Sequence, residues 1–104
     1  MSEPIRIEGV PLPAEGHGVR VMANGAPIAL FRHEGHLYAI DAECSHVRGP
    51  LDQGKLTGSL VVCPWHGSEF SIETGAVERG PAVRPVAAYS VTLDGSTLVL
   101  TRTG

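Results

Sequence analysis

The sequence predicts an all-β protein, an antiparallel sandwich or barrel, and three observations point there. Apolar residues recur in short runs close to period 2, the spacing of strands with one buried face. Thirteen glycines and eight prolines interrupt the 104-residue chain, and no stretch carries a sustained helical stripe. Turn-forming pairs fall between the apolar runs, which is how short antiparallel strands are joined.

In chain order, the candidate strands are 4–9, 18–24, 26–33, 36–41, 59–63, 68–72, 86–93 and 96–102. Asn24-Gly25 separates GVRVMA from APIALF and predicts a tight hairpin, because both turn positions tolerate positive φ. Glu34-Gly35 and Asp94-Gly95 read as further turns, the second joining AYSVTL to STLVLT. The stretch from about 42 to 85 is richer in Gly and Pro and holds both cysteines. Its strands look too short to form a sheet of their own. The chain reads as one domain, 1–104, with a β body of about 1–41 and 86–104 and a small subdomain of about 42–85 inserted in it.

Composition narrows the function. A hydrophobic content of 42% and a charged content of 18% describe an ordinary globular chain. The net charge of −3 argues against nucleic acid, which needs a basic face to displace counterions. No apolar run is long enough to cross a membrane. The opening MSEPIRIEGVPLPAEG lacks a basic segment followed by an apolar one, so a cytoplasmic location is expected. In that reducing compartment a structural disulfide between Cys44 and Cys63 is disfavoured.

The segment CSHVRGPLDQGKLTGSLVVCPWHG, residues 44–67, gathers both cysteines, two histidines and the single tryptophan. Cys44 and His46 form a C-x-H pair, and Cys63 and His66 form a C-x-x-H pair. Each spacing lets two side chains of one tight loop converge on a metal, and Gly49, Pro50, Gly54, Pro64 and Gly67 favour the turns. Zinc accepts such a set, although the usual zinc finger places two cysteines together and then two histidines. In a mixed-ligand [2Fe–2S] centre, two cysteines hold one iron and two histidines the other. One Cys and one His from each loop supply that arrangement.

At this point the sequence resembles the Rieske iron–sulfur family, and the likeness extends over roughly residues 4–102. It includes APIALFRHEGHLYAIDAECSH upstream, GPL at 49–51, CPWHGSEF at 63–70, TGAV at 74–77 and GPAVRPVAAYSV at 80–91. The nearest likeness is to the small ferredoxins of multicomponent ring-hydroxylating oxygenases. The resemblance implies a Rieske-like β fold and one [2Fe–2S] cluster held by Cys44, His46, Cys63 and His66. It implies a soluble, monomeric one-electron carrier between a flavin-dependent ferredoxin reductase and a terminal oxygenase, not itself a catalyst. Two other readings remain: the Rieske small subunit of an assimilatory nitrite reductase, and a structural zinc module.

Departures from the family pattern bear on the potential. High-potential Rieske proteins carry a serine and a tyrosine whose hydroxyls bond to cluster sulfurs. This chain has Ser68 but Phe70, and it lacks the extra cysteine pair, with Val47 after His46 and Trp65 before His66. The resemblance thus implies a potential below the top of the range of about −150 to +300 mV, raised somewhat by Ser68. Pro64 and Trp65 are expected to shield the cluster and stiffen the loop, with Gly80-Pro81 covering it from a third side. The carrier reading puts the His46 and His66 rings at the surface and docking around Val47, Pro64, Trp65 and Pro81. His17, His33 and His36 fall outside the motif and are expected at the surface or at strand edges.

Overall fold

A computed structural model describes residues 4–45, 48–65, 67–82 and 84–103. In these residues the strands are β1 (Ile5–Glu8), β2 (Gly18–Ala23), β3 (Ala26–His33), β4 (His36–Asp41), β5 (Lys55–Thr57), β6 (Leu60–Val62), β7 (Glu69–Ser71), β8 (Val77–Arg79), β9 (Ala88–Asp94) and β10 (Thr97–Thr103). One six-stranded sheet runs β1-β10-β9-β4-β3-β2, and one four-stranded sheet runs β5-β6-β7-β8. All the strand pairs are antiparallel. None of the described helices is long and apolar enough to cross a membrane.

The hairpin turns follow from the sequence. Asn24 and Gly25 have φ of 51° and 83°, and Glu34 and Gly35 have 52° and 78°, so both pairs turn with the twist of the flanking strands. A glutamate at the second turn is less usual. The Glu15 carboxylate compensates by accepting the N–H groups of Glu34 and Gly35 at 2.7 and 2.9 Å. Those two bonds hold the Glu15 carboxyl below its ordinary value.

The run IALF in β3 is buried throughout, which a half-exposed strand would not be. Its residues alternate between two cores. Ile28 and Leu30 pack with Val21, Ala23, Ala39, Leu98 and Leu100 inside the curved six-stranded sheet. Ala29 and Phe31 face the other way, into a second core with Ile40, Leu51, Val61, Phe70 and Ile72. A strand covered on both faces reads as a continuous apolar run rather than an alternating one.

One expectation needs correction. The short strands of the 42–85 stretch do form a sheet of their own, with β5 and β8 absent from the expected set. Three-residue strands are too short to stand alone, but in a meander each pairs with its neighbour. The sheet is anchored by Val61 and Phe70, both fully buried against residues of the β body.

β4 and β9 share only the pairs Ala39–Tyr89 and Ile40–Ala88, and Asp41 extends the junction. Its N–H donates to Ala87 O at 2.9 Å, while its carboxylate accepts from Ala87 N at 3.1 Å and Tyr89 Oη at 2.9 Å. Burial, and then the bond to Asp41, push the Tyr89 phenol up to about 12 from 10.0. The folded value exceeds the unfolded one, so this stabilisation is complete below pH 10 and disappears as pH rises through 12. Tyr89→Phe should cost about 1 kcal/mol at neutral pH. Urea unfolding at pH 9 and pH 12 should show the difference between wild type and variant shrinking at the higher pH; a constant difference would refute the coupling.

Candidate metal centre

Two loops built to one plan carry the cysteines. The first, Cys44 to Gly49, follows β4, and the second, Cys63 to Ser68, joins β6 to β7. In each, the cysteine N–H donates across the loop to the last carbonyl, Cys44 to Gly49 at 2.8 Å and Cys63 to Ser68 at 2.7 Å. In each, the penultimate residue donates back to the cysteine carbonyl, Arg48 at 2.8 Å and Gly67 at 3.0 Å. Those two residues share the left-handed conformation, with φ of 60° and 77°. Glycine adopts it freely, whereas arginine does so at a cost of roughly 1–2 kcal/mol. The matching bonds impose the same turn on both loops.

Cys44 and Cys63 are 2% and 1% exposed. They lie in the core that contains Leu51, Phe70 and Ala82. Gly49 keeps the space beside them open, since a methyl group there would stand 2.5 Å from Cys63 Sγ and 3.4 Å from the Trp65 ring. A Cβ would fill the cradle that the sulfur borders. Two buried soft donors on twin loops, with room kept beside one of them, fit an iron–sulfur group.

His46, Val47 and His66 lie outside the described residues, so the structure places the two loops and their cysteines but not the two rings. Among the described residues no group of three or more His, Cys, Asp or Glu side chains converges elsewhere as a metal site. His17 and His36 are exposed and His33 is half-buried at the end of β3, paired in register with His36. These positions agree with surface and strand-edge roles.

A third loop, described at residues 80–82 and 84–85, contains a cis Gly80–Pro81 bond. It is tied to both loops. Ser45 Oγ donates to Arg84 O at 2.5 Å, and Ala82 N–H donates to Ser68 Oγ at 2.9 Å. Nothing local to Ser45 signals this tie, because a serine in a loop has many possible partners. Ser68 is fully buried, and as an acceptor it still has its own hydroxyl hydrogen to donate. Pro64 and Pro81 are exposed, and Trp65 is 58% exposed with its ring against Gly49.

Fold and loops together define a Rieske protein. The Rieske [2Fe-2S] domain family matches residues 7–90, and the chain belongs to that family and carries its single [2Fe–2S] cluster. It is 34% identical over 86 residues to the ferredoxin component of the naphthalene 1,2-dioxygenase/salicylate 5-hydroxylase systems of a Ralstonia species, covering 83% of each chain. In structure it is similar to the ferredoxin of carbazole 1,9a-dioxygenase from Nocardioides aromaticivorans IC177, with TM-score 0.85, 29% identity and coverage of 95% of this chain and 99% of that one. A ferredoxin chain in a complex of reduced oxygenase and oxidised ferredoxin from carbazole 1,9a-dioxygenase matches with TM-score 0.80, 27% identity and 93% coverage of both. A putative nitrite reductase NADPH small subunit shares the fold at 18% identity, TM-score 0.73, covering 91% of this chain and 96% of that one.

Proposed function

We propose that the protein is the electron-carrying ferredoxin of a ring-hydroxylating oxygenase system. It takes single electrons from a flavin-dependent reductase and hands them to a terminal oxygenase, working as a cytoplasmic monomer. The observation that carries this reading is the pair of matching cysteine loops, with both cysteines buried while Pro64 and Trp65 of the second loop are exposed. Cys44 and Cys63 hold one iron, and His46 and His66 the other. When bound, the cluster supplies reversible one-electron storage. The chain's own contribution is to fix the loops by the paired backbone bonds, exclude water from the sulfur side with Leu51, Phe70 and Ala82, and present one rim to partners.

Purified protein should contain about two irons and two acid-labile sulfides per chain. Stoichiometric zinc after expression with ample iron would overturn the assignment.

Ser68 allows a finer test. Its hydroxyl accepts from Ala82, and its remaining hydrogen would be available to donate to a cluster sulfide, a bond that would strengthen when reduction adds negative charge. Ser68→Ala should lower the potential by about 40–90 mV, the equivalent of about 1–2 kcal/mol of differential hydrogen bonding. It should also cost about 1–3 kcal/mol of stability, because the Ala82 N–H loses its buried acceptor. Protein-film voltammetry at one fixed pH separates the two effects. A lower melting temperature with an unchanged potential would assign Ser68 to the third loop alone.

A further inference from the structure

The loops around the cysteines carry a charge opposite to that of the whole protein. The chain has eight Lys+Arg, eleven Asp+Glu and a net charge of −3. Segments 44–49, 63–68 and 79–85 nevertheless contain Arg48, Arg79 and Arg84 and no acidic residue. The positions there that lie outside the described set are His46, Val47, His66 and Val83, which add no acid. Arg79 sits opposite Glu69 in the β7–β8 ladder, so its charge is balanced nearby.

Arg48 and Arg84 are different. Both are exposed, and among the described residues neither guanidinium has a carboxylate partner. The ion pairs there join Arg6 to Asp94, Arg20 to Asp52 and His33 to Glu34. Backbone bonds hold both arginines beside the cysteine loops: Arg48 N donates to Cys44 O at 2.8 Å, and Arg84 O accepts from Ser45 Oγ at 2.5 Å. Asp41 and Glu43 line an open hollow of about 360 Å³ with Arg48; neither is ion-paired to it, and the Asp41 carboxylate already accepts from Ala87 N and Tyr89 Oη. The same loops expose Pro64, Trp65 and Pro81.

From this we infer that the rim of the three loops docks an electron-accepting protein whose matching surface is apolar at its centre and acidic around it. The inference rests on the carrier reading and adds the chemistry of the partner. Net charge alone would predict that an acidic partner is repelled. At contact distance the local field decides, because charges farther off than roughly 8 Å are largely screened at physiological salt. Arg and Trp are also the side chains that most often dominate protein interfaces, and steering of this kind changes association rates by roughly 10–1,000-fold.

The test uses probes of known charge. Protein reduced with dithionite and freed of excess reductant is mixed in a stopped-flow instrument with ferricyanide, a trianion, or with tris(phenanthroline)cobalt(III), a trication. In each case one electron leaves the protein and reduces the metal complex from the III to the II state, with no bond or proton exchanged. Ferricyanide oxidation should slow as salt is raised, although protein and oxidant are both anionic overall. Arg48→Gln with Arg84→Gln should slow that reaction about 3–10-fold at low salt and leave the visible spectrum intact, while the double lysine variant keeps the wild-type rate. Poly-L-glutamate should inhibit the ferricyanide reaction of the wild type and not that of the glutamine variant. A ferricyanide rate that rises with salt, or is indifferent to both arginines, overturns the proposal. Protein that dithionite does not bleach overturns the carrier reading itself, a distinguishable result.

Discussion

Replacing Cys63 with serine is expected to leave the protein without bound iron, its visible absorption at baseline and its thermal stability markedly reduced. The donor atom decides the outcome. Iron–sulfur clusters are held by cysteine thiolates, whereas a serine hydroxyl stays protonated at neutral pH and is a far poorer ligand. Burial makes the exchange worse. Cys63 is 1% exposed in an apolar core with Phe70 and Leu51, and an unpartnered hydroxyl there costs about 1–3 kcal/mol. The larger loss comes from the cluster, since ligand binding to the folded state alone is itself folding free energy. Cys44→Ser should behave the same way, because its loop has the same construction. Iron and sulfide analysis, with far-ultraviolet circular dichroism to follow the β-sheet signal, checks the outcome. Full iron content in either variant would remove that cysteine from the ligand set.

Much of this was legible in the residues themselves. The hairpin at Asn24-Gly25 was readable because only a few residue types accept positive φ at both positions, and two of them stand there. The two cysteine loops stood out as candidates because the alternation of cysteine and histidine is rare and chemically specific. What escaped was whatever depends on partners distant in the chain. β5 and β8 are three residues each, with the burial patterns of neither a clear strand nor a clear loop, and only pairing with β6 and β7 makes them strands. Arg48 shows the same limit. Nothing local announces a left-handed arginine, and its conformation follows from the bond it must return to Cys44, the counterpart of the one Gly67 returns to Cys63. The apolar run in β3 announced burial but not that the two faces serve different cores.

That division of the interior links fold to function. The core shared by the two sheets is the one that contains Cys44 and Cys63, so the packing that joins the small sheet to the body also sets the cysteine loops. Ala82 and Val86, in and just after the third loop, belong to the same core. A change that separates the sheets should therefore reach the metal centre without touching a ligand.

Gly75→Ala is the sharpest such change and should remove a large part of the domain's stability. Gly75 follows β7, donates its N–H to Ser71 O at 2.8 Å and accepts from Val86 N at 2.9 Å, thereby joining the small sheet to the chain that enters β9. Its φ is 78°, and a Cβ there would be driven into the Val86 carbonyl oxygen. Backbone cannot rotate away as a side chain can. Left-handed strain contributes roughly 1–3 kcal/mol and overpacking a further 1–3 kcal/mol, so a loss of about 3–5 kcal/mol is expected. In a domain of this size that corresponds to a fall in Tm of roughly 15–30 °C, against a total stability of about 5–15 kcal/mol. Gly95→Ala supplies the control, for it has φ of 64° and nothing within 4 Å of the added methyl. It should lose only the strain component, about 1 kcal/mol. Differential scanning calorimetry of both variants separates conformation from collision. Equal losses would mean that the Val86 backbone yields, and that the two sheets are joined less tightly at Gly75 than their hydrogen bonds indicate.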